Sequence, residues 1–277
     1  MANLEGKIAS KLAELHRNLG YLSRAEDQGQ KKADSEAKKR RVEEIRHTRE
    51  VSRELERQAD LQSSLRNNRL VIDLTGLPTK IKVLFLAANP QDQTQLRLDE
   101  EIRAITERIR ASAYRDSVEL VSRWAVRPAD LMQALNEHRP HVVHFSGHGT
   151  AAGDIVLQAD DGGAKLATQE AIVATMSTMT DNIRLVIFNA CFSSEQAQAV
   201  TRYVDAAVGM NAAIGDEAAR VFAAQFYSAI GFGRSVQQAF DQARALLLLE
   251  GIPEDKTPEL FTREGVDAGQ VILVRPL

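Results

Sequence analysis

HVVHFSGHG, residues 141–149, and RLVIFNACFSS, residues 184–194, decide how this chain folds. Each is a short apolar run that ends abruptly in small and polar residues, and we read strands over 141–147 and 183–190. Upstream, IKVLFLAA (81–88) is nearly continuous in apolar residues, as in a strand covered on both faces. SVELVSRWAV (117–126), VDAAVGM (204–210) and GQVILV (269–274) read as further strands. Between them the period changes. Leu98, Ile102, Ile105 and Ile109 recur at helical spacing within 96–112. PADLMQALNEH (128–138) reads as a helix with Pro128 in its first turn. Thr168 caps a helix to Met176, a helix starts near Ser193 or Ser194, and two more cover about 216–229 and 235–249. Gly231 and Ser235 cap these last two at their facing ends. DIVLQADDGG (154–163) is a hairpin arm whose turn is Asp160–Gly163. Strands alternating with helices predict an α/β sandwich around a mostly parallel sheet. Such sheets carry their sites at the carboxyl ends of the strands.

Residues 1–69 are a different material. They hold 16 Lys/Arg against 12 Asp/Glu, while the other 208 residues hold 19 against 26. They contain no Pro, Phe or Trp. Leu4, Ile8, Leu12, Leu15, Leu19 and Leu22 form one helical stripe. From Ala33 to Leu65 a highly charged helix carries a thin stripe at Val42, Ile45, Val51, Leu55 and Leu61, which suits a helical hairpin or coiled coil. Asn67, Asn68, Gly76 and Pro78 then break the pattern. The division expected is a charged helical segment over 1–69, a linker over 70–80 and an α/β domain over 81–277.

The whole chain has 277 residues and a net charge of −3, which argues against a chain-wide nucleic-acid binder. The basic run KKADSEAKKRR (31–41) is diluted by nearby Glu and has no aromatic residue interleaved for stacking. No apolar run reaches membrane-spanning length, and the first residues lack a secretory core, so a cytoplasmic protein is expected. Cys191 is the only cysteine, which fits a reducing compartment and leaves no Cys-rich zinc site. With no GxxxxGK[ST] and no metal-loop spacing, neither a cofactor nor a metal is expected.

That cysteine ends one strand, and two of the six histidines, His144 and His148, lie at the end of another. A Cys–His pair is the minimum for thiolate nucleophilic catalysis. Gly147 and Gly149 flank His148 and let the backbone come close to a substrate. The N–H groups of Gly149 and Cys191 can together form an oxyanion hole. His144, inside its strand, reads as structural. A buried cysteine is by itself more often an apolar filler; the pairing of GHG with NAC at two strand ends is the stronger signal.

These residues resemble a CHAT domain, a branch of the caspase-like cysteine peptidases. The resemblance runs from about Ile81 to Val274 and rests on LFLAANP (84–90), LDEEIRAI (98–105), HVVHFSGHG, RLVIFNACFSS, AAVGM (206–210) and the helical stretch 218–244, in the family's order. It implies a caspase-like three-layer α/β/α sandwich. It implies His148 as catalytic histidine, Cys191 as nucleophile and Gly149 as oxyanion glycine. Relatives that cut after Arg or Lys commonly carry an acid two positions before the cysteine, and here that position is Asn189. A neutral or apolar residue before the cut is therefore expected, with Asn189 and Met210 lining the pocket.

The expected function is a regulated cysteine endopeptidase acting on a protein substrate in a prokaryotic defence or signalling pathway, its activity controlled by a protein activator or by self-association through residues 1–69. The alternatives are a catalytically silent scaffold on the same fold, and a different thiol enzyme such as an acyl transferase or thioesterase.

Overall fold

A computed structural model describes Lys11 and residues 78–275, so the helices expected before residue 69 lie outside the described residues. By compactness the chain divides into Met1–Val71 and Ile72–Leu277, and only the second is described below. Its strands are β1 (Ile81–Ala88), β2 (Val118–Arg123), β3 (Val142–Gly147), β4 (Ile155–Gln158), β5 (Ala164–Ala167), β6 (Leu185–Asn189), β7 (Ala206–Met210) and β8 (Pro258–Thr262). Its helices are α1 (Leu98–Arg110), α2 (Pro128–His138), α3 (Gln169–Ser177), α4 (Ser194–Val200), α5 (Asp216–Gly231) and α6 (Val236–Leu249). Six strands form one sheet in the order β2-β1-β3-β6-β7-β8, and β4 and β5 form a separate hairpin. Only the β7–β8 pair in the large sheet is antiparallel.

The alternation of side chains along the strands builds two cores. Val83, Phe85 and Ala87 of β1 face α1, α5 and α6 in one cluster. Leu84, Leu86 and Ala88 face α2, α3 and α4 in the other, which the hairpin residues Ile155 and Leu157 extend. The α/β/α sandwich read from the sequence is thus present, with both sheet faces covered. That is why β1, β3 and β6 are apolar along almost their whole length.

Several local expectations hold in detail. The Thr168 hydroxyl accepts from Ala171 N–H at the start of α3, and Ser235 and Gln238 form a capping box on α6. Gly162, at φ +88°, lies in the turn after β4. Three expectations need correcting. GQVILV is not a strand: Val236 N–H at the amino end of α6 donates to its Val271 carbonyl, and Gln237 N–H to Ala268 just before it. The antiparallel edge beside β7 belongs instead to residues 258–262. The left-handed glycine after α5 is Gly233, at φ +72°; Gly231 ends the helix itself, where a Cβ would overlap Ser112. Ser193 precedes α4 but does not cap it, because its hydroxyl donates to the carbonyls of Phe188 and Ala190 and accepts from Met210 N–H.

Candidate active site

The parallel register sets the geometry. Val142 lies opposite Leu185 and Ser146 opposite Asn189, the last paired rung of β3 and β6. His148 and Cys191 each follow that rung by two residues, beyond the paired strands. The chain after His148 turns onto the hairpin: Val156 N–H donates to His148 O at 3.0 Å, and Thr150 N–H to Asp154 O at 2.9 Å. Gly149 then lies directly on the Cys191 backbone, so that a Cβ at this glycine would overlap the Cys191 carbonyl oxygen. Neither Gly149 N–H nor Cys191 N–H donates a hydrogen bond among the described residues.

His148 is half-buried and its Nε2 lies 2.7 Å from the carbonyl oxygen of Thr94, in the loop after β1. A carbonyl only accepts, so Nε2 carries the hydrogen and the neutral ring keeps Nδ1 as its basic nitrogen. Cys191 is half-buried as well, and its thiol donates to Ile214 O at 3.8 Å. The two side chains thus bond Thr94 and Ile214 and not each other. After the cysteine the backbone is strained: Phe192 has φ +54°, its N–H donates to Ala212 O at 3.2 Å, and its ring is partly exposed. A bulky residue in the left-handed region costs on the order of 1 kcal/mol and is found where the surroundings enforce it. The Asn211–Gly215 loop is fastened on its far side by Glu254, which accepts from Gly215 N–H at 2.7 Å.

Asn189 and Met210 do not present side chains at the surface. Asn189 is 4% exposed and donates from Nδ2 to Glu101 Oε1 at 2.8 Å and Ala219 O at 3.2 Å. Its Oδ1 has no partner among the described residues. Met210 is fully buried in the core beneath α1, α5 and α6. The expectation that these two line a substrate pocket is corrected on this point: the last residues of β6 and β7 still belong to the packed sheet.

Sequence reasoning missed Glu101. It is 3% exposed, and its Oε1 also lies 3.0 Å from His144 Nε2, while Ser146 Oγ donates to Oε2 at 2.5 Å. A carboxylate only accepts, so His144 Nε2 carries the hydrogen, and Tyr227 donates to Nδ1 across 3.2 Å. Burial, and then the nearby Glu101, hold the Tyr227 phenol well above its ordinary range, so it remains a donor. His144, read as structural, is fully buried in this network and stacked on Phe85 at 5.1 Å. No cluster of three or more His, Cys, Asp or Glu suited to a metal occurs among the described residues.

Comparison with known proteins places these features in a family context. Residues 41–257 match the model of the CHAT domain. A "Probable protease" of Gillisia limnaea is 23% identical over 180 residues, covering 64% of this chain and 32% of that one. A "Roc-COR-CHAT protease" of an unknown prokaryotic organism is 23% identical over 181 residues, covering 63% and 17%. The chain thus spans a third or less of the length of these relatives. Among solved structures, a secreted C11 cysteine protease of Bacteroides thetaiotaomicron, bound to an irreversible peptide inhibitor, aligns with a TM-score of 0.48 at 9% identity over 66% of each chain. Caspase-1 of Spodoptera frugiperda aligns with a TM-score of 0.47 at 8% identity over 71% of this chain and 89% of its own.

Proposed function

The chain belongs to the CHAT domain family, and from that premise we propose that it is a cysteine endopeptidase with His148 and Cys191 as its dyad. The observation that supports the reading is the parallel pairing of β3 and β6 up to Ser146 and Asn189, with His148 and Cys191 each following two residues later and Gly149 packed on the Cys191 backbone. The protease names of both relatives agree with it. In the reaction the thiol turns from Ile214 O towards His148 Nδ1 and gives up its proton there. The thiolate attacks the scissile carbonyl, and the oxyanion takes the N–H groups of Gly149 and Cys191. The imidazolium protonates the departing amine, and Thr94 O holds Nε2–H so that the ring keeps its orientation. Water, deprotonated by the same nitrogen, then hydrolyses the thioester and frees Cys191.

Three further points belong to the proposal. A protein substrate follows from the family, and a cut after a neutral or apolar residue rests on the resemblance alone, since Asn189 is buried. An activator or self-association through residues 1–69 follows from their thin apolar stripe. A role in defence or signalling follows from the family resemblance alone. The second reading, a silent scaffold, is favoured by one observation: the thiol bonds Ile214 rather than His148.

The test is intact mass after exposure to a panel of peptide vinyl sulfones. One adduct per chain, lost in both Cys191→Ala and His148→Ala, is the expected result. An unlabelled wild type, with or without neighbouring gene products, favours the scaffold, and a probe preference confined to Arg or Lys sinks the neutral-residue expectation.

A further inference from the structure

Glu101 lies in the buried stripe of α1, with Leu98, Ile105 and Ile109. A carboxylate there is costly unless its oxygens are satisfied. Both are, and the identity of the donors matters. Ser146 and Asn189 are register partners on the rung where the pairing of β3 and β6 stops. His144, the third donor, stands two residues before Ser146 on β3 and reaches back through Tyr227 to α5. Side chains alternate along a strand and register partners share a face, so 144 and 146 of β3 and 189 of β6 all point to Glu101. Backbone hydrogen bonds fix the two strands only as far as Ser146 and Asn189. Beyond that rung both chains enter loops, and His148 and Cys191 depend on whatever holds the rung's side chains.

We propose that Glu101 is a positioning residue: by accepting from Ser146 and Asn189 on the last paired rung, and from His144 below it, its carboxylate locks the two strand ends so that His148 meets Cys191. The proposal rests on the dyad reading above. It adds a function for a helix that carries neither dyad residue. A misplacement of about 1 Å in such a pair can cost on the order of a hundredfold in rate, so a lock at this rung has leverage.

The experiment uses the full chain and iodoacetamide, whose adduct at the only cysteine is counted by intact mass. Alkylation rates are compared at pH 6.5, where an assisted thiolate is needed, and at pH 9, above the ordinary thiol value of about 8.5. Wild type, His148→Ala, Glu101→Gln and the double variant are measured, all well below their melting temperatures. His148→Ala should react about tenfold more slowly than wild type at pH 6.5, the equivalent of one unit in thiol ionisation. Glu101→Gln, whose amide cannot accept from all three donors, should lose at least about threefold at pH 6.5, nothing at pH 9, and nothing further once His148 is gone. Ser146→Ala removes one donor with little disturbance, and decides the matter by the same criteria should Glu101→Gln not fold. A wild-type rate at pH 6.5, an equal loss at both pH values, or a loss that persists without His148 overturns the positioning role while leaving the dyad intact. If His148→Ala itself matches wild type, the dyad reading falls and the proposal with it.

Discussion

Gly149 leaves no room for added atoms, because its Cα hydrogens face the Cys191 carbonyl. Gly149→Ala forces the backbones after β3 and β6 apart. The expected result is a loss of about 1–3 kcal/mol in urea unfolding, as for overpacking elsewhere, together with loss of vinyl sulfone labelling. Full labelling with unchanged stability would show that the two segments are not in this contact. The glycine was legible in the sequence because GHG at a strand end asks for close backbone approach. Glu101 was not, and the reason is physical. It is the third acid of LDEE, and acids in the first turn of a helix are expected for the helix dipole alone. Its place three residues after Leu98 and four before Ile105 puts it on the apolar stripe, where Asp99 and Glu100 are not, but the partners that draw it inward come from β3 and β6 and show only in the fold. Asn189 was singled out by its distance from the cysteine, but the alternation that aims it away from solvent needs the sheet to be seen.

At the scale of elements, apolar runs located β1, β3, β6 and β7 because burial on both faces requires such runs. The same logic misread GQVILV. Val271, Leu273 and Val274 are buried in the core, but apolarity reports burial and not the hydrogen-bond partner, which here is α6. PELFT carries little strand signal because it starts with Pro258 and is mostly half-buried, as an edge strand can be. The amino ends of the strands are tied by His141, a residue outside any site. Lys82 N–H donates to its Nδ1 at 3.0 Å, its own N–H donates to Lys82 O, and Arg184 N–H donates to its carbonyl. Burial, followed by the charges of Lys82 and Arg184, pushes this imidazole below its usual value. Near pH 6.5 and below, the unfolded chain binds a proton at His141 that the native state resists. Stability present above that pH is therefore lost as the pH falls through the native value. Thermal melts from pH 7.5 to 5.5 should show a flatter dependence in His141→Gln than in wild type. Parallel curves would mean that His141 titrates alike in both states.

For the whole molecule, alternating strands and helices made the layered architecture readable, since a parallel sheet needs helical crossovers and must be covered on both faces. The proposed dyad depends on that topology: β3 and β6 are neighbours in space although Ser146 and Asn189 are 43 positions apart, and both end at the same edge. The role of residues 1–69 does not follow from that logic. Their net charge, 16 basic against 12 acidic residues, is opposite in sign to the rest of the chain. The family match begins at residue 41, within this charged stretch. Val42, Ile45, Val51, Leu55 and Leu61 make a stripe too narrow for a core of their own but wide enough for a two-helix seam. Self-association through that seam predicts a light-scattering mass above that of one chain, falling on dilution. A version lacking residues 1–69 should then be monomeric at every concentration and should take up the vinyl sulfone at a rate that no longer depends on concentration. A 1–277 chain that is monomeric throughout assigns the stripe to a different protein, and the proposed control of the peptidase would then have to come from that partner.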